Sequence, residues 1–304
     1  MSKTSLSSLL FGLLLIIAVS NVSAKIKQRI IGGSRADGKK FKYQVSLQLV
    51  SSDGCSYHWC GGSILDERHI ITAAHCVTDK YTHKFNNLEF TVVAGTADLH
   101  DKVRKPGIYR DVEYIYMPEA YEKTRRLIHD IAILRLRNPL PLHTDGRISA
   151  IKLPTANQYL PPNSPPAVMS GFGAWKQTLV NGELKDSGST PFLQFVYGYI
   201  NKYDPKFVCE STVVCVQGVT PGVLSGTCFG DSGGPLVDYF TNTLIGVTSG
   251  SDYKTCGITT RFTRVSSYLE FIEGVRSLQF RTATTGIQFN HVHEHIFPTM
   301  PLCN

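Results

Sequence analysis

Ser232 stands within Gly230-Asp231-Ser232-Gly233-Gly234-Pro235, a setting suited to a nucleophile. A serine hydroxyl attacks poorly at neutral pH unless a base takes its proton and fixed donors receive the charge that forms on the attacked oxygen. The glycines permit a tight turn that exposes main-chain amides, so the N–H groups of Gly230 and Ser232 are the candidate oxyanion donors. His75, in Thr72-Ala73-Ala74-His75-Cys76, supplies an imidazole able to accept the serine proton and pass it to a leaving amine. Asp130 heads the apolar run Ile131-Ala132-Ile133-Leu134, where a buried carboxylate would fix the His75 tautomer and stabilise the imidazolium. Taken singly, each is a weak signal: a histidine is usually structural, and an aspartate before a strand is usually a turn residue. Asp231 is the awkward neighbour, because a carboxylate beside a developing oxyanion hinders the reaction unless a cation holds it elsewhere.

The elements that must carry these residues read as strands. Tyr43, Val45, Leu47 and Leu49 alternate with Gln44, Ser46 and Gln48, the period of a half-buried strand. Leu88–Gly95, Ile131–Leu136, Ala167–Gly171, Thr212–Val216 and Leu244–Thr248 are β-branched or aliphatic runs separated by Gly, Pro, Asn and Asp clusters, as in an all-β chain. One helix is expected near the C-terminus, where Ser267 and Glu270 have capping-box spacing and Leu269, Ile272 and Val275 share a face. Proline-rich connections at Asn138–Pro141 and Tyr159–Pro166 place a boundary near residue 150.

Lys3, the apolar run Leu9–Val19 and Val22-Ser23-Ala24 have the pattern of a cleaved secretory signal over residues 1–24. The run is shorter than the ~20 apolar residues of a membrane span, so no membrane association is expected. The net charge of +7 includes Lys3, Lys25, Lys27 and Arg29 in segments expected to be removed, which leaves +3, too little to argue for nucleic acid or heparin. Eight cysteines in a secreted chain point to disulfides. Beyond residue 278 periodicity is lost, and His291, His293, Glu294 and His295 could hold a metal ion on an extended segment, although a solvated tail is the default.

Thr72–Cys76, Asp130–Leu134 and Gly230–Pro235, preceded by Arg29-Ile30-Ile31-Gly32-Gly33, resemble the chymotrypsin-like (trypsin-fold) serine proteases from Ile30 to about Leu278. The resemblance implies two packed antiparallel six-stranded β-barrels, over residues 30–150 and 151–278, with a terminal helix and an extra tail over 279–304. It implies a catalytic His75, Asp130 and Ser232, and a propeptide at 25–29 cut after Arg29, so that the new ammonium of Ile30 pairs with Asp231 and sets the Gly230–Ser232 backbone. It also pairs Cys60 with Cys76, Cys209 with Cys215 and Cys228 with Cys256. Cys55 and Cys303 lie outside the usual set; an intramolecular bridge tying the tail to the first barrel is expected, against free thiols or a link between chains.

Departures from the family refine the expectation. Gly226 takes the place of the aspartate that lets relatives cut after Arg or Lys, and burying an unpaired cation would be costly. Gly250 leaves one pocket wall open and Thr260 narrows the base, so the residue preceding the cut is expected to be Phe, Tyr, Leu or Met. Thr248 is read where a serine is common, and Ser249 where a tryptophan is frequent. Ala167 and Asp238 replace a facing cysteine pair. Thr96-Ala97-Asp98 lacks the opening acid of a calcium loop, so no metal and no cofactor is expected. The implied partners are protein or peptide substrates, an activating trypsin-like protease and protease inhibitors, with the enzyme acting as a monomer. The rival readings are a protease-fold binding protein without catalysis and a regulatory cascade protease.

Overall fold

The computed structural model of the protein describes residues 30–122, 128–161, 166–201, 209–251, 255–277, 287–291 and 302–303. The expected signal and propeptide, and the tail residues His293, Glu294 and His295, lie outside the described residues. After a short β1 (Ser34–Arg35), the first barrel is built from β2 (Gln44–Val50), β3 (Ser56–Ile64), β4 (His69–Thr72), β5 (Phe90–Ala94), β6 (Ile108–Pro118) and β7 (Ala132–Leu136). Their order is β6-β5-β2-β3-β4-β7, and β6 pairs with β7 to close the ring. A short helix α1 (Glu119–Glu122) follows β6.

The second barrel uses β8 (Ala167–Gly171), β11 (Gln194–Ile200), β12 (Val213–Gly218), β13 (Pro235–Asp238), β14 (Thr243–Ser251) and β15 (Thr260–Arg264); β9 (Gln177–Val180) and β10 (Glu183–Asp186) form a separate hairpin. Its order is β11-β12-β15-β14-β13-β8, closed by β8 on β11, with β1 added outside β11. Closure removes the open strand edges through which β-rich chains associate. Leu47, Ile64, Phe90, Ile115 and Leu134 fill the first core, and Met169, Val214, Leu236 and Phe262 the second. Each such side chain contributes about 1.5–3 kcal/mol by leaving water.

The half-buried expectation for β2 is corrected. Gln44, Ser46 and Gln48 are 4%, 0% and 0% exposed, as buried as the apolar residues between them. Gln44 meets the second barrel directly, and burial is tolerated because each of the three side chains has a hydrogen-bonding partner, although Gln48 Nε2 is left without one among the described residues. Ser170 in β8 donates to Gln44 Oε1 at 2.7 Å, Ser46 Oγ lies 2.8 Å from His58 Nδ1, and Ser56 donates to Gln48 Oε1 at 2.6 Å.

The C-terminal helix α2 runs over Leu269–Ser277 and buries Ile272 and Val275. It follows a 3-10 turn at Val265–Ser267, so Ser267 sits in that turn rather than at the helix boundary the capping spacing suggested. Arg276 ties α2 to the first barrel by donating to Asp66 Oδ2 at 2.8 Å. Burial pushes the Asp66 carboxyl up, but hydrogen bonds from His69 and Arg276 outweigh it and hold the group well below the usual carboxylate range. Beyond α2, β16 (Ile287–His291) pairs antiparallel with β6 along Pro118–Tyr114. The disulfides are Cys55–Cys303, Cys60–Cys76, Cys209–Cys215 and Cys228–Cys256. Ala167 and Asp238 are direct cross-strand partners.

Candidate active site

His75 sits in the single 3-10 turn Ala74–Cys76 that follows β4, and the Cys60–Cys76 bridge pins that turn to β3. Asp130 leads into β7 from a tight bend, in which His129 has φ +60° and the Ile131 N–H reaches the His129 carbonyl at 2.9 Å. A positive φ is uncommon outside glycine, and here it turns the Asp130 side chain inward. The two residues meet directly: His75 Nδ1 lies 2.8 Å from Asp130 Oδ2, and the His75 backbone N–H donates to Oδ1 at 2.9 Å. Asp130 is 0% exposed, so its charge must be satisfied by donors rather than by water. Burial opposes a charge on His75, but the Asp130 carboxylate and its hydrogen bond overcome that and raise the imidazole above its ordinary value.

The third donor to Asp130 is one the sequence reading missed. Ser249 Oγ donates to Oδ2 at 2.5 Å, whereas Thr248 Oγ1 turns back to the Gly234 carbonyl at 3.0 Å. An irregularity in the β14–β15 register between Thr248 and Gly250 turns the Ser249 side chain to the cleft. Ser249 therefore takes the serine's place, and the reading of Thr248 as its replacement and of Ser249 as a lost tryptophan is corrected by one residue. Gly250, paired with Arg261, then falls where the tryptophan was expected.

Ser232 approaches from the second barrel. Its carbonyl accepts the Gly61 N–H at 2.7 Å, the residue after Cys60, so the nucleophile segment is stitched to the strand that holds the histidine turn. The approach requires glycine at the contact: a Cβ on Gly233 (φ +76°) would strike Thr72 Oγ1 and the Gly61 carbonyl. The N–H groups of Gly230 and Ser232 make no backbone hydrogen bond among the described residues. His58, also unforeseen, fixes this loop from behind. Its Nε2 lies 2.8 Å from the Gly230 carbonyl while Nδ1 faces Ser46 Oγ, so the Nε2–H tautomer donates to Gly230 and accepts from Ser46. Burial pushes His58 down to about 4, against the Gly230 hydrogen bond, which keeps the ring neutral at physiological pH.

Asp231 is fully buried beneath Ser232, its oxygens accepting Gly173 N–H at 2.8 Å and Cys228 N–H at 2.9 Å. Two amides do not replace the lost hydration, so burial pushes its carboxyl up to about 7. The backbone following Arg29 lies close by in the fold: Ile30 is buried in the second core, and Ile31 bridges Gly226, whose N–H donates to the Ile31 carbonyl at 3.0 Å. A Cβ on Gly173 would lie 2.6 Å from Asp231 Cγ. Gly173→Ala is therefore expected to lower stability by about 1–3 kcal/mol, read as a fall in Tm; an unchanged Tm would show that the Asp231 cradle is plastic.

Of the residues expected to line the substrate pocket, Gly226 and Thr260 lie together, whereas Gly250, which takes the tryptophan's place, pairs with Arg261. Thr227 donates to Thr260 Oγ1 at 3.1 Å in a buried pair, and a Cβ on Gly226 would meet that same Thr260 oxygen at 3.3 Å. Arg261 follows Thr260 along β15, where successive side chains point to opposite faces, so its cation is directed away from this base. The Cys228–Cys256 bridge packs with Ala174 and Ile31 alongside.

Two closed six-stranded barrels, with a histidine–aspartate pair on the first and a glycine-flanked serine on the loop before β13 of the second, define a trypsin-fold protease. The trypsin family model matches residues 30–272, and the chain belongs to that family of serine endopeptidases, which act on peptide bonds. It is 31% identical over 260 residues to mouse (Mus musculus) chymotrypsin-C, covering 82% of this chain and 89% of that protein. It is 33% identical over 258 residues to chymotrypsin-like elastase family member 1 of the cat (Felis catus), covering 81% and 89%. Among solved structures, human heparin binding protein superposes with a TM-score of 0.66 at 25% identity, covering 84% of this chain and all of that one.

Proposed function

We propose that this endopeptidase is secreted as a precursor, is activated by a trypsin-like enzyme cutting after Arg29, and cleaves after apolar residues. In this reading His75 takes the proton of Ser232 as the hydroxyl attacks the scissile carbonyl, and Asp130 stabilises the resulting imidazolium. The N–H groups of Gly230 and Ser232 receive the oxyanion, and His75 then returns the proton to the leaving amine. The observation that carries the proposal is the buried Asp130 carboxylate, met by three donors of which two come from His75. A fully buried carboxylate is kept only where donors satisfy it, and two of these three donors fix the orientation of one histidine, as a catalytic base requires. Inhibitors of this enzyme class are the expected partners, and a monomer is the expected state.

The substrate preference rests on Gly226, Thr227 and Thr260, whose pocket base offers hydroxyls and no acid. Thr260→Asp, placing a carboxylate at that base, is expected to raise cleavage after Lys or Arg relative to Phe by about 10- to 100-fold. Profiling the activated protein on a peptide library reads this directly, and an unchanged ratio would remove Thr260 from the pocket. The likeness to human heparin binding protein keeps a binding role in view as the second reading. Covalent labelling by an organophosphonate, absent in Ser232→Ala, separates the two, since a protein that only binds does not react.

A further inference from the structure

The tail that follows α2 lies outside the pattern that the rest of the chain shares with its relatives, and its end returns to the edge of the cleft. Leu302 forms a parallel bridge with Ser56, Cys303 N–H donates to the Ser56 carbonyl at 2.9 Å, and Cys303 is bonded to Cys55. This occupies the free edge of β3 at its first residue. At the other end of the same stretch, Gly61 N–H is engaged by Ser232. Among the described residues, no other strand pairs with β3 on this edge from Tyr57 to Cys60.

That gap lies on the leaving-group side of the reaction. Trp59 Nε1 donates to the Cys76 carbonyl at 2.9 Å, which places the indole beside the His75 turn, and Cys76 Sγ is 3.9 Å from His75 Nε2. His75 delivers the proton to the departing amine, so the departing strand starts here, while the pocket of Gly226 and Thr260 holds the acyl side. Tyr57 and Trp59 share one face of β3 and are 44% and 40% exposed, large apolar surfaces on an unpaired strand edge. An unpaired edge flanked by exposed side chains is a template for an added peptide strand. The three rises from Tyr57 to Cys60, at about 3.3 Å each, give roughly 10 Å of edge, enough for about three residues of substrate.

We propose that Leu302 and Cys303, held by the bridge to Cys55, close the leaving-group side of the cleft after the third residue beyond the scissile bond. There the half-buried Leu302, with Tyr57, forms an apolar subsite. The occupant is the leaving segment of an extended polypeptide with an apolar third residue. The inference rests on the serine endopeptidase reading, and two measurements keep the two separable.

In the first, the activated full chain is acylated by a small ester, and amino-acid and peptide amides of one to five residues are added as acceptors. The acceptor amine attacks the Ser232 ester, an amide bond forms, the acyl–oxygen bond breaks and the serine hydroxyl is restored. Acceptor efficiency is expected to rise through the third residue and then level off, with preference for an apolar third residue. That preference falls about tenfold in Leu302→Ala and in the double variant Cys55→Ser, Cys303→Ser, while hydrolysis of the ester itself is unchanged. A continued rise to the fifth residue, or an unaltered preference in both variants, overturns the proposal. In the second, quenching of Trp59 fluorescence in a Trp175→Phe background is titrated with tripeptide amides, which needs no catalysis. Weaker binding of the apolar tripeptide in Leu302→Ala supports the subsite even if no acyl-enzyme forms, and equal binding refutes it.

Discussion

Ser232→Ala, activated in the same way as the parent, is expected to lose about a million-fold in kcat while keeping its fold and its affinity for peptide. The loss is that large because in the proposed triad the nucleophile, base and carboxylate act as one unit, so that removing one member idles the others. Asp130→Asn is expected to cost about ten-thousand-fold, since the amide presents the wrong partner to His75 Nδ1. The pH profile distinguishes a role in catalysis from a role in folding. His75 must be neutral to accept the proton, and Asp130 raises its pKa, so activity falls as pH drops through that raised value. In the residual activity of Asp130→Asn the acid limb should move to lower pH. A Ser232→Ala protein retaining more than a thousandth of parental activity would place the nucleophile elsewhere.

Cutting after Arg29 is expected to raise kcat/KM by about a thousandfold or more, the worth of correctly set oxyanion donors, and to stabilise the protein in a pH-dependent way. In the described state burial raises Asp231 to about 7. The group's contribution to stability is therefore full below its ordinary value and lost as pH rises through about 7, where a buried charge forms without a cation. A shift of this size corresponds to a penalty on the order of 4 kcal/mol. In the proposed switch the new Ile30 ammonium removes the penalty by pairing with the carboxylate. Its own pKa, near 8 when free, is raised by the pairing, so this stabilisation is full below the free value and lost as pH climbs through the paired one. Activation should thus raise Tm by on the order of 5 °C near neutral pH, with a smaller gain at acid pH and reversible loss of activity in alkali. Calorimetry and activity on precursor, mature protein and Ile30-acetylated protein test it. An acetylated enzyme that is fully active, or a Tm gain equal at pH 5 and pH 7.5, would break the link between Ile30 and Asp231.

The class of enzyme was legible in the chain because each proposed reacting group sits in a short contiguous motif. Gly230–Pro235 carries the turn its serine needs, Thr72–Cys76 carries the histidine together with the cysteine that pins it, and Asp130 stands at the mouth of an apolar strand. The strands were legible from their aliphatic runs, with ends displaced by a few residues, as in β5, which covers Phe90–Ala94 within the expected Leu88–Gly95. What sequence alone could not settle depends on contacts between segments far apart in the chain. The polar face of β2 reads as solvent-facing by its period, yet it is sealed, and the second barrel meets it at Gln44 through Ser170. His58 is an ordinary strand residue until the fold brings the Gly230 carbonyl to its ring, 172 positions away. Ser249 and Thr248 are chemically near-equivalent neighbours. Successive side chains along a strand point to opposite faces, so only the local irregularity in β14 decides which hydroxyl meets Asp130. The order of the residues thus determined which reaction the chain is equipped for, while the apposition of the two barrels decided which further side chains hold the reacting groups in place, since burial and hydrogen-bond partners exist only once the surfaces meet.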